Sequence, residues 1–415
     1  MKPPKTHRRT LLVLSALALG VALTAWWAGA GELAAKATRE WHQWLGPDRN
    51  NISAETTWSA DWGQDGPKVL WKINVGTGWS GVAVSQGRAF TMGNKDKTDT
   101  VFCLDAETGE VKWKKSYPCP AGSHPGPRCT PTVDGDRVYT VSNQGNIICF
   151  RVADGKPVWD VDARKAFGSR PPSWGFACSP LVMGKQLIVD VGTVAALDKA
   201  TGRVAWKSRK YMAGYSSPVL FQMGGKPCLA IFNAAGLTIL DAANGKQLAQ
   251  LAWKTSYNVN AATPLIVGED LFISSGYGTG CALVKPTAGE IKVLWRNKAM
   301  RNHFSTCVLH EGNIYGVDGN VGRAGLACLS AKTGEVKWSH GRWGMGSLLL
   351  AGGKLIALTD KGRLFTCKAS PEGFQELSGA TVISGKCWTA PVLSGGRIYC
   401  RSHQGQLVCV DVRKK

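Results

Sequence analysis

Acidic residues are scarce in this sequence, and the scarcity narrows the partners and the chemistry that it can support. Asp plus Glu number 29 against 50 Lys plus Arg, which gives a formal net charge of +21. No run of Lys and Arg and no basic helix concentrates this charge, so we expect no nucleic acid partner. The excess of positive charge is consistent either with a solvated basic surface or with an anionic partner, such as a polymer or a membrane surface.

Cysteine is plentiful, but the arrangements that would give it a chemical role are missing. The 13 cysteines are odd in number and include no Cys-x-x-Cys motif, and no His-rich metal spacing accompanies them, so we predict no zinc or haem site. Many recur at matching strand positions, which is typical of small buried apolar residues. Two disulfides are predicted: Cys400–Cys409, facing each other across a hairpin if its loop has two residues, and Cys119–Cys129, closing the loop between them.

The N-terminus has the layout of an export signal. Basic residues precede an apolar run over residues 11–27, and a small-x-small sequence ends at Ala30. Residues 1–30 are therefore either a cleaved signal peptide or an apolar helix that anchors the chain in the inner membrane through residues 11–27. No cysteine follows the run, which argues against a lipoprotein anchor. Either alternative predicts a periplasmic or otherwise extracytoplasmic protein, secreted or anchored.

Tryptophan recurs with a period in the forties, which is the spacing of β-propeller blades. Most of these residues follow a turn of the Asp-x-x-Thr-Gly type, in which glycine closes the loop and the next strand carries a large ring into the groove between blades. We predict that these rings dock neighbouring blades. They are Trp71, Trp113, Trp159, Trp206, Trp253, Trp295 and Trp338.

The number of repeat openings predicts an all-β fold of eight four-stranded antiparallel blades over residues 68–412. Only three strands follow the last opening, so we predict that an N-terminal strand over residues 68–73 completes the last blade and closes the ring. Residues 31–67 are interpreted as a linker and N-terminal extension, and residues 413–415 as a basic tail. The propeller is expected to be monomeric.

The repeats resemble those of pyrroloquinoline quinone (PQQ) dehydrogenases, whose blade-docking motif runs Ala-x-Asp-x-x-Thr-Gly-x-x-x-Trp. Residues 104–113 and 197–206 match it closely. More specifically, the chain resembles exported bacterial proteins with PQQ-binding-like propeller repeats, in which a Trp-x-x-Trp-x-Gly-Pro segment precedes the propeller, here residues 41–47. This resemblance implies how the blades pack, but it does not by itself imply a cofactor.

The resemblance allows an enzyme, and an enzyme of this family has specific requirements of the residues that enter the innermost strands. A quinone dehydrogenase requires carboxylate ligands for Ca²⁺ and a carboxylate base, and in the family adjacent cysteines cap the quinone. The sequence has no Cys-Cys pair, and the funnel loops carry aromatic, amide and cationic side chains instead of acids. We therefore predict no catalytic residues and no cofactor, with PQQ and Ca²⁺ as the alternative.

The same funnel side chains could hold a planar anionic or sugar-like ligand by stacking and charge-assisted hydrogen bonds, or could simply fill the narrowing channel. The candidates are Trp79, Arg128, Trp174, Tyr215, Asn258, Asn260, Arg301, Asn302, His303, Lys386 and Trp388.

Three functions follow from these observations. The first is a non-catalytic exported propeller that binds an envelope protein, an anionic envelope polymer or a ligand through its funnel face. The propeller scaffold subunit of the outer-membrane β-barrel assembly machinery is the nearest analogue that the resemblance offers. The alternatives are a PQQ-dependent oxidoreductase and a binder of saccharides or other small ligands.

Overall fold

The computed structural model describes Met1 and residues 40–414, apart from residues 121–123, 321–322 and 342–343. The predicted signal or anchor over residues 1–30 lies outside this part, Met1 excepted. The described chain is almost entirely β-strand, with one short helix, α1 (Ala163–Phe167), and one 3₁₀ turn at Ser256–Asn258. Among these residues, none of the helices has the length and apolar character needed to cross a bilayer.

The strands form eight antiparallel four-stranded blades, as the sequence predicts, and one blade carries an extra strand. In chain order, β1 is Ile52–Ser53 and β2 is Lys68–Asn74. Blade 1 contains β3 (Ala83–Ser85), β4 (Arg88–Lys95), β5 (Thr98–Asp105) and β6 (Val111–Pro118). Blade 2 contains β7 (Thr132–Asp134), β8 (Arg137–Val141), β9 (Asn146–Arg151) and β10 (Pro157–Asp162). Blade 3 contains β11 (Leu181–Met183), β12 (Gln186–Asp190), β13 (Val194–Asp198) and β14 (Val204–Lys207).

The other blades repeat this order. Blade 4 contains β15 (Val219–Met223), β16 (Lys226–Asn233), β17 (Gly236–Asp241) and β18 (Gln247–Ala252). Blade 5 contains β19 (Leu265–Val267), β20 (Asp270–Ser275), β21 (Gly280–Pro286) and β22 (Ile291–Asn297). Blade 6 contains β23 (Val308–His310), β24 (Asn313–Asp318), β25 (Gly325–Ser330) and β26 (Val336–His340). Blade 7 contains β27 (Ser347–Ala351), β28 (Lys354–Leu358), β29 (Arg363–Lys368) and β30 (Glu376–Thr381), and blade 8 contains β31 (Val392–Ser394), β32 (Arg397–Arg401) and β33 (Gln406–Asp411).

The first strand of each blade lies toward the centre and the last lies outside. First strands contact one another between neighbouring blades, for example β3 with β7 and β7 with β11. The last strands alternate exposed and buried side chains, as in β6, because one face packs on a blade and the other meets water.

The N-terminal strand β2 is the fourth strand of blade 8. It runs antiparallel to β33, with Lys68 opposite Asp411 and Asn74 opposite Gln406. Its indole, Trp71, is 8% exposed and lies 5.9 Å from the ring of Tyr399 in the same blade. The predicted pairing of the first and last segments of the propeller is therefore present in the structure.

Five of the seven predicted docking tryptophans pack on the glycine of the turn in the next blade. A Cβ atom added at Gly155, where φ is +68°, would lie 2.6 Å from a ring carbon of Trp113. The indole N–H of Trp113 donates to the carbonyl of Val152 in the same turn, at 2.8 Å. Glycine is needed here for two reasons, since the backbone is left-handed and the ring occupies the space of a side chain. The same ring-on-glycine contact joins Trp71 to Gly109, Trp159 to Gly202, Trp206 to Gly245, and Trp295 to Gly334.

Trp253 differs from these five tryptophans in the way that it contacts the next blade. In blade 4, the strand position that holds the indole in other blades is occupied by Ala249, the third residue of β18. Trp253 follows the end of that strand, and its N–H donates to the hydroxyl of Ser275 in blade 5, at 2.8 Å. The guanidinium of Arg296 covers its ring at 4.2 Å. Trp253 therefore joins blades 4 and 5 through a separate set of contacts.

Residues 40–67 pack against the propeller over much of their length. Strand β1 pairs in parallel with β27, so blade 7 has a fifth strand on its inner side. Trp58, 5% exposed, belongs to a core cluster shared by blades 7, 8 and 1, and Trp62 packs against that cluster. Blade 7 lacks a tryptophan of its own in β30. The N-terminal extension thus supplies indoles to the core beside the blade that has none.

Both predicted disulfides are wrong, because all 13 cysteines are buried free thiols. In the last hairpin, Cys400 lies opposite Val408 and Cys409 opposite Tyr399. This register differs by one residue from the predicted one, and a one-residue shift places the two sulfurs on opposite faces of the sheet. Cys119 donates to the side-chain oxygen of Asn143, whereas Cys129 accepts a hydrogen bond from the amide of Val141.

We expect thirteen titratable thiols per chain when the protein is denatured without reductant, and almost none in the native protein. Burial raises the pKa of these thiols, to about 12 for Cys129, and keeps them unreactive. Titration with a thiol-specific chromogenic reagent, with and without denaturant, measures both numbers. Eleven thiols after denaturation would indicate one disulfide and would contradict this assignment.

Candidate functional site

A cavity of about 320 Å³ occupies the centre of the propeller. It is lined by residues at the openings of all eight blades, by Tyr277 in a turn of blade 5, and by three residues of the N-terminal extension. We call it the funnel cavity. Its position on the axis explains why residues far apart in sequence meet there, since every blade contributes to the lining.

Aromatic rings surround this cavity. Trp79 stacks on His403 with ring centroids 3.9 Å apart, and on Trp388 with centroids 4.9 Å apart. From Trp388 the contacts continue around the funnel through further rings at centroid distances of 4.9–6.3 Å. This aromatic collar consists of His403, Trp79, Trp388, Phe304, His303, Tyr277, Tyr257, Trp174 and Tyr215. Side chains with few rotatable bonds give the cavity a well-defined shape.

Two cations at the collar form no direct ion pair with another described residue. Lys386 is exposed, and its ammonium lies 4.7 Å above the ring of Trp388. Arg128 donates to the carbonyls of Gly126 and His124, at 3.0 Å in both cases, and burial lowers its pKa to about 10. Among the ion pairs of the described residues, neither cation has a carboxylate partner.

Arg401 adds a fully buried positive charge below the collar. It is 0% exposed, and its guanidinium donates to the carbonyl of Ser80 and the hydroxyl of Thr91, both at 2.8 Å. Burial lowers its pKa to about 9. The pKa of His403 falls to about 4, first because of burial and then because of the surrounding cations, with Lys386 the strongest. His403 is therefore neutral at pH 7, and the local potential is positive.

The N-terminal extension lies across one end of the channel. Trp41 bridges to Val84 in blade 1, the indole N–H of Trp44 donates to Thr263 in blade 5 at 3.0 Å, and the amide of Asn51 donates to the carbonyl of Leu348 in blade 7. Arg49, 8% exposed, donates to the carbonyls of Ser179 and Pro180 in blade 3. We call residues 41–51 the channel plug. Trp44, Leu45 and Asn51 form part of the cavity lining.

The structure brings several sequence candidates together. Trp79, Arg128, Trp174, Tyr215, His303 and Trp388 all line the funnel cavity. Lys386 lies over Trp388 at its edge.

The remaining sequence candidates do not line the funnel cavity. Asn260 and Asn302 are fully buried and hold main-chain carbonyls, those of Asn233 and Val317. Asn258 lies outside the cavity, beside Met212. Arg301 forms a bidentate ion pair with Asp318, at 2.8 and 2.6 Å, which raises its pKa.

Arg401, His403, Tyr277 and the channel plug were not among the sequence candidates. His403 and Tyr277 lie in turns between the second and third strands of their blades, which reach the same end of the channel as the blade openings. The Gly-Tyr-Gly and His-Gln-Gly turns were visible in the sequence, but their direction depends on the blade geometry. The plug depends on contacts across more than 200 residues, as in Trp44 to Thr263.

A second opening adjoins the funnel cavity on blades 3 to 5. This rim groove of about 620 Å³ is lined by residues 168–173, 192, 210–212, 215, 257 and 258. Its walls include Arg170 and Lys210 and no acidic residue. Met212 and Tyr257 are 61% and 71% exposed, so large apolar side chains face water beside the two cations.

The lining of the funnel cavity does not fit a Ca²⁺-bound quinone. The residues that line it include no aspartate or glutamate, and nowhere in the described ranges do three or more His, Cys, Asp or Glu side chains group as metal ligands. Ca²⁺ requires several oxygen ligands with carboxylates among them. The cations at this cavity would repel the ion.

The fold and the repeats define an eight-bladed propeller of the PQQ-repeat type. A family model described as outer membrane protein assembly factor BamB matches residues 53–128 and 121–340, well over half of the chain, and the chain belongs to this family. The outer membrane protein assembly factor BamB of Burkholderia pseudomallei (strain K96243) is 27% identical over 178 residues. That alignment covers 42% of this chain and spans only 43% of the relative.

Solved structures share the fold at low identity. BamB from Moraxella catarrhalis has a TM-score of 0.61 at 16% identity, covering 83% of this chain and 97% of that one. Quinohemoprotein alcohol dehydrogenase from Comamonas testosteroni has a TM-score of 0.63 at 12% identity, covering 91% of this chain and 81% of that one. The similar scores for an assembly factor and a dehydrogenase show that the fold alone does not decide the function.

Proposed function

We propose that this protein is a non-catalytic scaffold that acts outside the cytoplasm and binds another envelope protein through the rim of its funnel face. Membership of the BamB family supports the class of role, because relatives in that family are named as outer membrane protein assembly factors. The observation that carries the proposal is the rim groove, where Met212 and Tyr257 are exposed between basic side chains.

Exposed apolar side chains surrounded by charged residues are typical of protein interfaces, in which a small apolar centre supplies most of the affinity. The positive charge of the groove favours a partner surface with acidic residues and accelerates association. The quinoprotein alternative has less support, because the lining of the funnel cavity lacks the carboxylates that Ca²⁺ and a general base require.

Site-specific photo-crosslinking tests this proposal in cells that express the full chain. A benzophenone amino acid at position 212 or 257 is expected to give a discrete adduct with an envelope protein, identified by mass spectrometry. The same amino acid at Val336 serves as control, because Val336 is 46% exposed on the outer strand of blade 6. Lys210→Glu should reduce the yield from position 257.

Equal adduct yields from positions 257 and 336 would mean that the contact is not specific to the rim. The absence of any adduct at 212 and 257, in protein that is exported and folded, would contradict the scaffold role.

A further inference from the structure

We infer that the funnel cavity is a binding site for a small, planar aromatic carboxylate, held without a metal ion. The inference concerns the floor of the funnel and not the rim groove, so it does not depend on the protein partner proposed above. It follows from the rings, the charges and the shape of the cavity.

The rings favour a flat ligand. Trp174 and Tyr215 have centroids 5.5 Å apart and planes inclined by 39°, and Tyr277 and His303 are 4.9 Å apart at 59°. Such tilted walls contact an aromatic ring through edge-to-face and offset arrangements. Trp79 is already stacked on two rings, so a ligand meets the edge of its indole. Ring edges carry partial positive charge and attract an anionic group.

The charges favour an acid over a neutral sugar. Lys386 and Arg128 border the cavity and form no direct ion pair among the described residues, although Asp360 and Asp99 interact with them electrostatically. Arg401 is fully buried and donates to the carbonyl of Ser80. The two main-chain bonds of Arg128 use two of the five donors of a guanidinium. The hydroxyl and amide groups of the lining could accept hydrogen bonds from a sugar, but a neutral sugar would not neutralise the positive charge, and the lining contains no acidic side chain that does so. An aromatic carboxylate satisfies both the rings and the cations.

The shape limits the size of the ligand. The channel plug places Trp44, Leu45 and Asn51 in the lining, and the cavity of about 320 Å³ lies at the lower end of the range for small-molecule sites. A ligand of one or two fused rings with one acidic group fits this volume, and a folded protein segment does not.

Isothermal titration of the purified protein with naphthalene-2-carboxylate tests the inference. We expect saturable binding at one site per chain, at least tenfold tighter than for naphthalene-2-carboxamide, which has the same rings without the charge. N-acetylglucosamine and inorganic phosphate are the probes for a saccharide site and for a simple anion site.

Three variants locate the binding. Ala177→Phe fills the cavity from its lining and should abolish binding, whereas Lys386→Gln should weaken it about fivefold. Lys368→Gln removes another exposed lysine, from strand β29 of blade 7, and should leave binding unchanged. Far-UV circular dichroism and thermal unfolding establish that each variant is folded.

Equal affinity for the carboxylate and the carboxamide would overturn the inference. So would binding that survives Ala177→Phe in a folded protein, or binding of N-acetylglucosamine or phosphate in place of naphthalene-2-carboxylate.

Discussion

A chain that begins at residue 75 is expected to lose cooperative unfolding and to aggregate, whereas a chain that begins at residue 40 should match the full-length protein. The shorter chain lacks β2, the fourth strand of blade 8, and leaves β33 as an open edge. It also lacks Trp71, and removing a buried tryptophan side chain alone costs about 3–5 kcal/mol. Domains are stable by only about 5–15 kcal/mol, so these losses exhaust the margin.

A chain that begins at residue 68 distinguishes the contribution of strand β2 to stability from that of the channel plug. It keeps β2 but lacks Trp41, Arg49 and Trp58, and we expect an intermediate thermal midpoint. Circular dichroism melts and size-exclusion chromatography of the three chains measure this series. A soluble, cooperatively unfolding chain that begins at 75 would show that β2 is dispensable for the propeller.

Gly155→Ala is expected to lower the free energy of unfolding by about 3 kcal/mol, compared with about 1 kcal/mol for Gly135→Ala. Both glycines have positive φ, +68° and +58°, so both substitutions strain the backbone. Only at Gly155 does the new Cβ meet the ring of Trp113, at 2.6 Å; nothing lies within 4 Å at Gly135. The difference between the two variants therefore isolates the contact between ring and turn.

The double variant Trp113→Ala, Gly155→Ala provides the test of that assignment. With the indole gone, the cost of Gly155→Ala should fall to that of Gly135→Ala, which gives a coupling free energy of about 2 kcal/mol in chemical denaturation. Additive effects of the two substitutions would contradict the contact as the reason for glycine at this turn.

The blade architecture was predictable because its determinants are local and repeated. A left-handed glycine, the strand that follows and the ring on that strand recur within about ten residues of one another, as in residues 105–113. Repetition then fixes the number of blades and identifies the strand missing from the last one. Trp253 shows the limit of this reasoning, because its spacing fits the series while Ala249 occupies the docking position.

The candidate site was predictable in part for the same reason. Residues that open the blades, such as Trp79 and Trp388, reach the axis by the repeat itself. Asn260 and Asn302 open blades as well, but each holds a main-chain carbonyl, and the sequence does not distinguish an amide that faces the cavity from one that faces the loop. The predicted disulfide between Cys400 and Cys409 is wrong because the observed strand register differs by one residue from the predicted register.

The channel plug has a consequence for transport through the propeller. Because Leu45 is 3% exposed and its neighbours are bonded to blades 1, 3, 5 and 7, we expect the plug to obstruct a straight passage along the axis. Solute that enters between the collar rings is then expected to leave by the same mouth. A protein that covers the rim would therefore control the exchange of solute with the funnel cavity. The opposite face of the propeller would have no part in this exchange.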